Sequence, residues 1–283
     1  MANFGVNLLV WSGQLGPDEM ALLPQISAMG YNSVELPIFA PEMVDSAMIR
    51  SALDASGLAC TVSTAMPPQT NLIDVSATPG GLHFLEAVIR QAAALRSPIV
   101  CGPLAVPVGE LRGRGRLPGE WDQCVQSLRQ AGEIAAQHQV VLALEPLNRF
   151  ETFFLNTTED AVRLMEEVNH PAVGLLLDTF HMHIEEKSTP AAIRHAGRHI
   201  RHFHASENDR GIVGSGQVPW KEVFQALRAI GYAGTITVES FNAVIPELAG
   251  ATCIWRPLAP SADALASESL IFLQDLGRAF SNA

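Results

Sequence analysis

Short apolar, β-branched runs alternate with longer amphipathic stretches from one end of the chain to the other. Runs of roughly four to eight such residues, bounded by turn formers, read as strands. Apolar positions recurring every three or four residues read as helices. On this basis strands are predicted over residues 4–10, 33–36, 58–63, 98–101, 140–144, 173–177, 200–203 and 234–238. Helices are predicted over 18–29, 45–56, 81–95, 120–138, 158–168, 190–198, 220–230 and 262–280. The punctuation agrees. Thr157 and Thr158 precede Glu159 as N-caps, Gly30, Gly57 and Gly231 follow apolar helical stretches, and Pro219 stands where a first-turn proline belongs.

Eight strand–helix alternations point to parallel strands joined by crossover helices. Their number and the length of 283 residues match a (β/α)₈ TIM barrel, and no low-complexity linker divides the chain, so one domain over residues 1–283 is expected. A doubly wound sheet would show fewer strands and a glycine-rich phosphate loop after the first. Here Trp11-Ser12-Gly13-Gln14-Leu15-Gly16-Pro17 follows instead.

Composition narrows the partners. Hydrophobic residues make up 48% of the chain and charged ones 17%, which excludes a mostly disordered protein and fits a compact body that hides some surface in an oligomer. The formal charge is −11, and the densest basic stretch is Arg112, Arg114 and Arg116, short and isolated. Nucleic acid is therefore not an expected partner. No apolar run approaches the ~18 residues of a membrane span. The N-terminal MANFGVNLLVWSG has neither a basic region nor a signal-cleavage pattern, so a cytoplasmic protein without a membrane partner is expected. Cys60, Cys101 and Cys124 read as small apolar core residues.

In a barrel enzyme the reactive groups stand at the C-terminal ends of strands. The fifth strand runs into Glu145, the sixth into Asp178, the seventh into His204 and the eighth into Glu239. The gaps of 33, 26 and 35 residues are each about one strand–helix unit, so four metal-competent side chains would share one mouth. Three enclosed carboxylates are costly unless a cation neutralises them. Three oxygens with one imidazole suit Mn²⁺, Co²⁺ or Mg²⁺. Any one of these residues alone reads more readily as a strand-end residue that caps a loop; four on consecutive strands do not.

The strings EPLNRFE (Glu145 to Glu151), DTFHMHIEE (Asp178 to Glu186), HFHASENDRG (His202 to Gly211), GSGQVPW (Gly214 to Trp220) and VESF (Val238 to Phe241) resemble the ketose 3-epimerases, the tagatose/psicose/L-ribulose branch of the xylose-isomerase-like barrels. The likeness is strongest from Val140 to Trp255. It implies an isomerase, a homodimer or homotetramer, that interconverts free ketoses at C3. Glu145, Asp178, His204 and Glu239 would hold the metal, Mn²⁺ before Co²⁺ or Mg²⁺, chelated by the substrate's O2 and O3. Glu145 and Glu239 would also be the acid–base pair that moves the C3 proton through a metal-stabilised cis-enediolate. Glu151, His181 and Arg210 match positions that bind the C1 to C3 oxygens.

Where family members place aromatics around the far end of the sugar, this chain has Asn7, Leu15 and GPLAVPVG, leaving Trp11 and Phe241 as wall residues. Bland readings fit the remainder. His202 would sit deeper and hydrogen-bonded, and His183 on a solvated loop. Glu185 and Glu186 would lead into the next helix, GSGQVPW would be a turn, and His83, His138, His170, His195 and His199 would lie at the surface. The alternative enzyme is an aldose–ketose or hydroxypyruvate isomerase on the same barrel. A nuclease would want more histidines and a basic face, and a non-catalytic sugar-binding barrel would have lost a ligand or a glutamate.

Overall fold

The computed structural model describes residues 3–241, 249–250 and 252–281. Eight strands, β1 (Asn3–Asn7), β2 (Ser33–Pro37), β3 (Ala59–Ser63), β4 (Ile99–Gly102), β5 (Val141–Leu144), β6 (Val173–Asp178), β7 (Ile200–Ala205) and β8 (Thr235–Val238), close into a barrel. All neighbours are parallel, and β8 pairs with β1. The helices are α1 (Pro17–Met20), α2 (Leu23–Met29), α3 (Ser46–Ser56), α4 (Thr78–Ala94), α5 (Pro118–Gln137), α6 (Thr158–Val168), α7 (Thr179–Glu185), α8 (Thr189–Ala196), α9 (Trp220–Ala229) and α10 (Ala262–Ser281). This is the eight-unit TIM barrel that the alternation predicts.

Successive side chains on a strand point to opposite faces, and that alternation sorts the sequence into two environments. Val34 and Leu36, Leu142 and Leu144, Leu175 and Leu177, Phe203 and Ala205, and Ile236 and Val238 join the apolar layer between strands and helices. The intervening positions face the barrel axis. Ile99, Cys101, Ala143 and Leu176 form a small apolar plug there. Asn7, Glu35, Thr61, His202, His204 and Thr237 make the rest of the described interior polar although they are buried. A register shift between Leu175 and Leu176 brings Asp178 opposite His204, and His204 lies opposite Thr237. Such irregularities re-aim side chains next to functional sites.

Several boundaries differ from the pattern-based ones for local reasons. The first strand stops at Asn7, not Val10, because the Asn7 side chain accepts from the Leu9 amide and starts a 3₁₀ turn over Leu8–Val10. The helix expected over 18–29 is two pieces. Pro24 has no N–H to give to the carbonyl four residues back, so the ladder breaks after Met20. Pro79, near the start of α4, lets that helix begin at Thr78, three residues early. Pro219 is the N-cap of α9 and not within its first turn. Thr157 caps α6 as expected, accepting from the Asp160 amide. Gly57 at the end of α3 adopts φ of 66°, the left-handed conformation that suits glycine.

The unpredicted helix is α7, which starts directly after β6. Asp178 Oδ1 accepts the Phe180 amide hydrogen at 2.7 Å, so the strand-end carboxylate is itself the N-cap. His183 is thus on a helix, exposed, and Glu185 ends that helix instead of leading into the next. Glu185 is bound by Arg149, while Glu186 accepts from the Thr158 amide. No described helix is long and apolar enough to cross a membrane.

Candidate active site

Strand ends, and the loops after them, carry the polar groups to one mouth. A cavity of about 190 Å³ is lined by the polar side chains of Glu145, Glu151, His181, His204, Arg210 and Glu239. Leu9, Phe39, Ala65, Pro103, Val108 and Phe241 add apolar lining. The floor is tight where β4 meets β3. Gly102 has φ of 127°, and a Cβ there would lie 2.1 Å from the Thr64 carbonyl oxygen. Only glycine allows that approach, and the Gly102 carbonyl in turn accepts the Glu145 amide at 2.9 Å.

Glu145, Asp178, His204 and Glu239 converge as expected: one donor atom from each lies within 4.8 Å of the others, and all four residues are buried. Arg210 Nη1 bridges Asp178 Oδ2 at 2.7 Å and Glu239 Oε2 at 2.8 Å, and its guanidinium stacks over Phe180 and Phe241 at 4.1 and 4.9 Å. Arg210 has φ of 64°, a left-handed conformation uncommon for non-glycine residues. It is held by its own amide bond to the Glu207 carbonyl and by the Ser240 hydroxyl on its carbonyl. His181 Nδ1 accepts the Asn148 amide hydrogen at 3.1 Å, so a neutral ring carries its proton on Nε2, which faces Glu145 Oε1 at 3.6 Å. Burial pushes the His181 pKa down to about 3, which keeps the ring neutral. Asn148 also donates to Glu151 Oε1 at 2.7 Å within the EPLNRFE loop, while its bond to His181 ties that loop to α7.

The electrostatics are uneven across this set. Burial, then the Glu239 charge, pushes the Glu145 carboxyl well above the usual range. Burial would raise Glu239 as well, but the His204 and Arg210 charges outweigh it and hold that carboxyl down. Glu151 is raised, chiefly by burial. At His204, burial opposes the charged ring, yet the Glu239 and Glu35 carboxylates win and raise its pKa. The set thus draws positive charge to the imidazole, which a proton or a metal cation can supply.

A divalent cation fits this donor set. Among the described residues, Glu145 Oε1 and His204 Nδ1 are buried without hydrogen-bond partners, and both belong to the four converging donors. Orphaned acceptors at such a point call for a bound ion. Three carboxylates and one imidazole are also the hard, borderline ligands that Mn²⁺, Co²⁺ and Mg²⁺ accept.

The sequence matches the xylose isomerase-like TIM barrel family over residues 23–275. It is 32% identical over 273 residues to a Synechocystis sp. protein named "Probable ketose 3-epimerase", covering 96% of this chain and 95% of that protein. It is 30% identical over 278 residues to an L-ribulose 3-epimerase of Methylomonas sp., with 96% of each chain covered. The solved structure of a D-allulose 3-epimerase from Methylomonas sp., in complex with D-allulose, superposes with a TM-score of 0.92 at 28% identity, covering 97% of this chain and 96% of that one. The chain belongs to the ketose 3-epimerases of the xylose isomerase-like TIM barrel family. It is an isomerase-class enzyme.

The structure refines the expectations for Trp11 and Cys101, and two buried carboxylates join them. Phe241 lines the cavity, whereas Trp11 is not among the described lining residues; its indole N–H donates to Asp263 at 2.7 Å, near the start of α10. Cys101 is buried but does more than fill space, since its Sγ lies 3.4 Å from Glu35 Oε2. Glu35, fully buried in β2, receives His202 and His204 Nε2 at 2.6 and 2.8 Å, which puts His202 in the deeper, hydrogen-bonded place expected of it. Burial would raise Glu35, but the His204 and His202 charges hold its carboxyl well below the usual range. The sequence signal was available: a lone carboxylate inside the apolar run SVELPIF cannot stay buried unpaired. Glu207 is a second such case. Its carboxylate accepts from the amides of Asn208, Gly214 and Val218 and from Trp220 Nε1, so the GSGQVPW turn is wound around a buried anion.

Proposed function

We propose that this chain is a divalent-metal-dependent epimerase that inverts C3 of free ketoses, with Glu145 and Glu239 as the proton-transferring pair. Glu145, Asp178, His204 and Glu239 would hold the ion, Mn²⁺ before Co²⁺ or Mg²⁺. When bound, the ion supplies Lewis-acid stabilisation of the negative charge on the substrate's oxygens. The observation that carries the reading is the convergence of two glutamates, from the ends of β5 and β8, on one small cavity whose orphaned donors call for a cation.

Inversion at C3 requires a proton to leave one face and another to arrive on the opposite face. Two fixed carboxyl groups do this without turning the sugar over. Glu145 and Glu239 follow β5 and β8, three strands apart around the closed barrel, so they approach a substrate from different directions. His181 offers Nε2–H to a substrate oxygen, while Glu151 and Arg210 complete the grip on the C1 to C3 oxygens. The Arg210 guanidinium is already engaged by Asp178 and Glu239, which favours an unphosphorylated substrate over one needing a cationic cradle. Phe241 adds an aromatic wall beside Arg210. The reading includes a homo-oligomer in the cytoplasm; exposed Phe150 and Trp255 offer apolar contact surface, and the four free cysteines agree with a reducing compartment.

Proton NMR in D₂O tests this, with Mn²⁺ or Mg²⁺ and a panel of fructose, tagatose, psicose, sorbose and L-ribulose. Deuterium at C3 together with a new epimer is expected. Label at C1 or C2 with an aldose product would move the chain to the aldose–ketose isomerases, and absence of exchange with every sugar would overturn the reading.

A further inference from the structure

Glu35 lies behind His204, seen from the cavity, and its carboxylate is fully buried. Oε1 accepts from His204 Nε2 at 2.8 Å and from Asn7 Nδ2 at 2.9 Å. Oε2 accepts from His202 Nε2 at 2.6 Å, Thr61 Oγ1 at 2.9 Å and, more weakly, Cys101 Sγ at 3.4 Å. A carboxylate has about four lone-pair sites, so the protein fills them all. Because an ionised carboxylate only accepts, the His204 nitrogen that faces it must carry its hydrogen. That places a proton on Nε2 and reserves Nδ1 for the side where Glu145, Asp178 and Glu239 converge, 3.3 Å from Glu239 Oε1.

We propose that Glu35 is the positioning residue that fixes the ring orientation and tautomer of His204, and thereby sets the metal affinity of the site. The inference rests on His204 being a metal ligand. His202 is the brace: its ring meets that of His204 edge-on, with centroids 5.1 Å apart and planes at 80°, while its Nε2 pins the other Glu35 oxygen. Asn7 extends the same hub to a second ligand, since its Nδ2 also lies 3.3 Å from Glu239 Oε1. Glu35, Cys101, His202 and His204 could be read as a metal site of their own, their donor atoms being within 4.8 Å of one another. Against that, the Glu35 oxygens are saturated by hydrogen donors, and burial with the Glu35 charge keeps the Cys101 thiol protonated.

The test is a competition titration of Mn²⁺ against a fluorescent chelator, using metal-stripped full-length protein and its Glu35→Gln variant. Wild type should bind one ion per chain, and the variant should bind about 10–100-fold more weakly. Long-range ¹H–¹⁵N spectra of histidine-labelled, Mg²⁺-loaded protein should show His204 protonated at Nε2 in wild type and lose that signature in the variant. Should Glu35→Gln fail to fold, Thr61→Val decides: it keeps the carboxylate but removes one donor, and about 3–10-fold weaker binding is expected. Unchanged affinity in the folded variant would overturn the inference and leave Glu35 as a packing hub. Two ions per wild-type chain, falling to one in Glu35→Gln, would overturn it in favour of a second metal site. Wild type that binds no Mn²⁺ would overturn the proposed function along with it.

Discussion

Glu145 and Glu239 are the same residue type a few ångströms apart, yet their surroundings drive them in opposite directions. Glu145 has an orphaned oxygen, a neutral histidine and a neighbouring carboxylate; Glu239 has Arg210 against it and His204 beside it. Environment assigning different states to like groups is how one site runs acid and base chemistry together. Glu239→Gln keeps the shape and the capacity to contact Arg210 but cannot take a proton. Its turnover should fall by at least about 100-fold, in the range general acid–base groups contribute. C3 exchange assayed at one bound metal per chain checks this, because metal content separates lost proton transfer from lost ligation. Activity within threefold of wild type would eliminate the two-carboxylate scheme. His181→Phe keeps an aromatic ring but removes both the Nε2–H and the Nδ1 that accepts the Asn148 amide, and should lower kcat/KM by at least about 10–100-fold; steady-state kinetics on the best ketose would read it.

At the level of elements, what the sequence made legible was whatever depends on period and spacing. The eight units, the inward face of β5 to β8 and the four converging side chains all follow from strand periodicity and from counting residues between strand ends. What stayed hidden depends on a side chain finding a distant partner. Glu35 meets His202 and His204 across 167 and 169 residues of chain, and Trp11 reaches Asp263 across 252. No local pattern encodes such pairs. The α7 helix is hidden for another reason: Asp178 caps it with Oδ1 while Oδ2 faces Arg210, two roles that the local pattern does not separate. Two elements offer stability tests. Gly102→Ala puts a methyl 2.1 Å from a backbone carbonyl at a φ that alanine avoids, so a loss of about 3 kcal/mol or more is expected in urea unfolding. Glu120 at the start of α5 is held at a pKa of about 2, against an ordinary 4.5, by Arg114 first, then by the Leu117 amide and Arg112, with burial opposing. A depressed carboxyl stabilises the fold above its unfolded pKa and loses that contribution as pH falls through the folded value. Wild type should therefore weaken between about pH 4.5 and 2, and Glu120→Gln should flatten that acid limb while losing about 1–3 kcal/mol at pH 7.

For the whole molecule, the acidic site makes metal and stability one question. The chain carries a formal charge of −11, and three of its carboxylates are packed with Glu35 around one histidine deep in the barrel. Uncompensated, that concentration of charge opposes folding; Arg210 and the two histidines offset part of it. A ligand that binds only the native state stabilises by RT ln(1 + [L]/Kd), about 2.7 kcal/mol at a hundredfold excess over Kd. For a chain of 283 residues this corresponds to a rise of about 5 °C in Tm. The four proposed ligands stand at or directly after the ends of four successive strands, β5 to β8, so the gain should appear as one cooperative transition moving upward and not as the loss of a separate early phase. EDTA should remove both the shift and the epimerase activity, and Mn²⁺ should restore them in parallel at the same concentration. Differential scanning calorimetry run beside the D₂O exchange assay reads the two together. Activity that survives chelation, while Tm falls, would separate a structural ion from the chemistry and leave Glu145 and Glu239 to carry proton transfer without it.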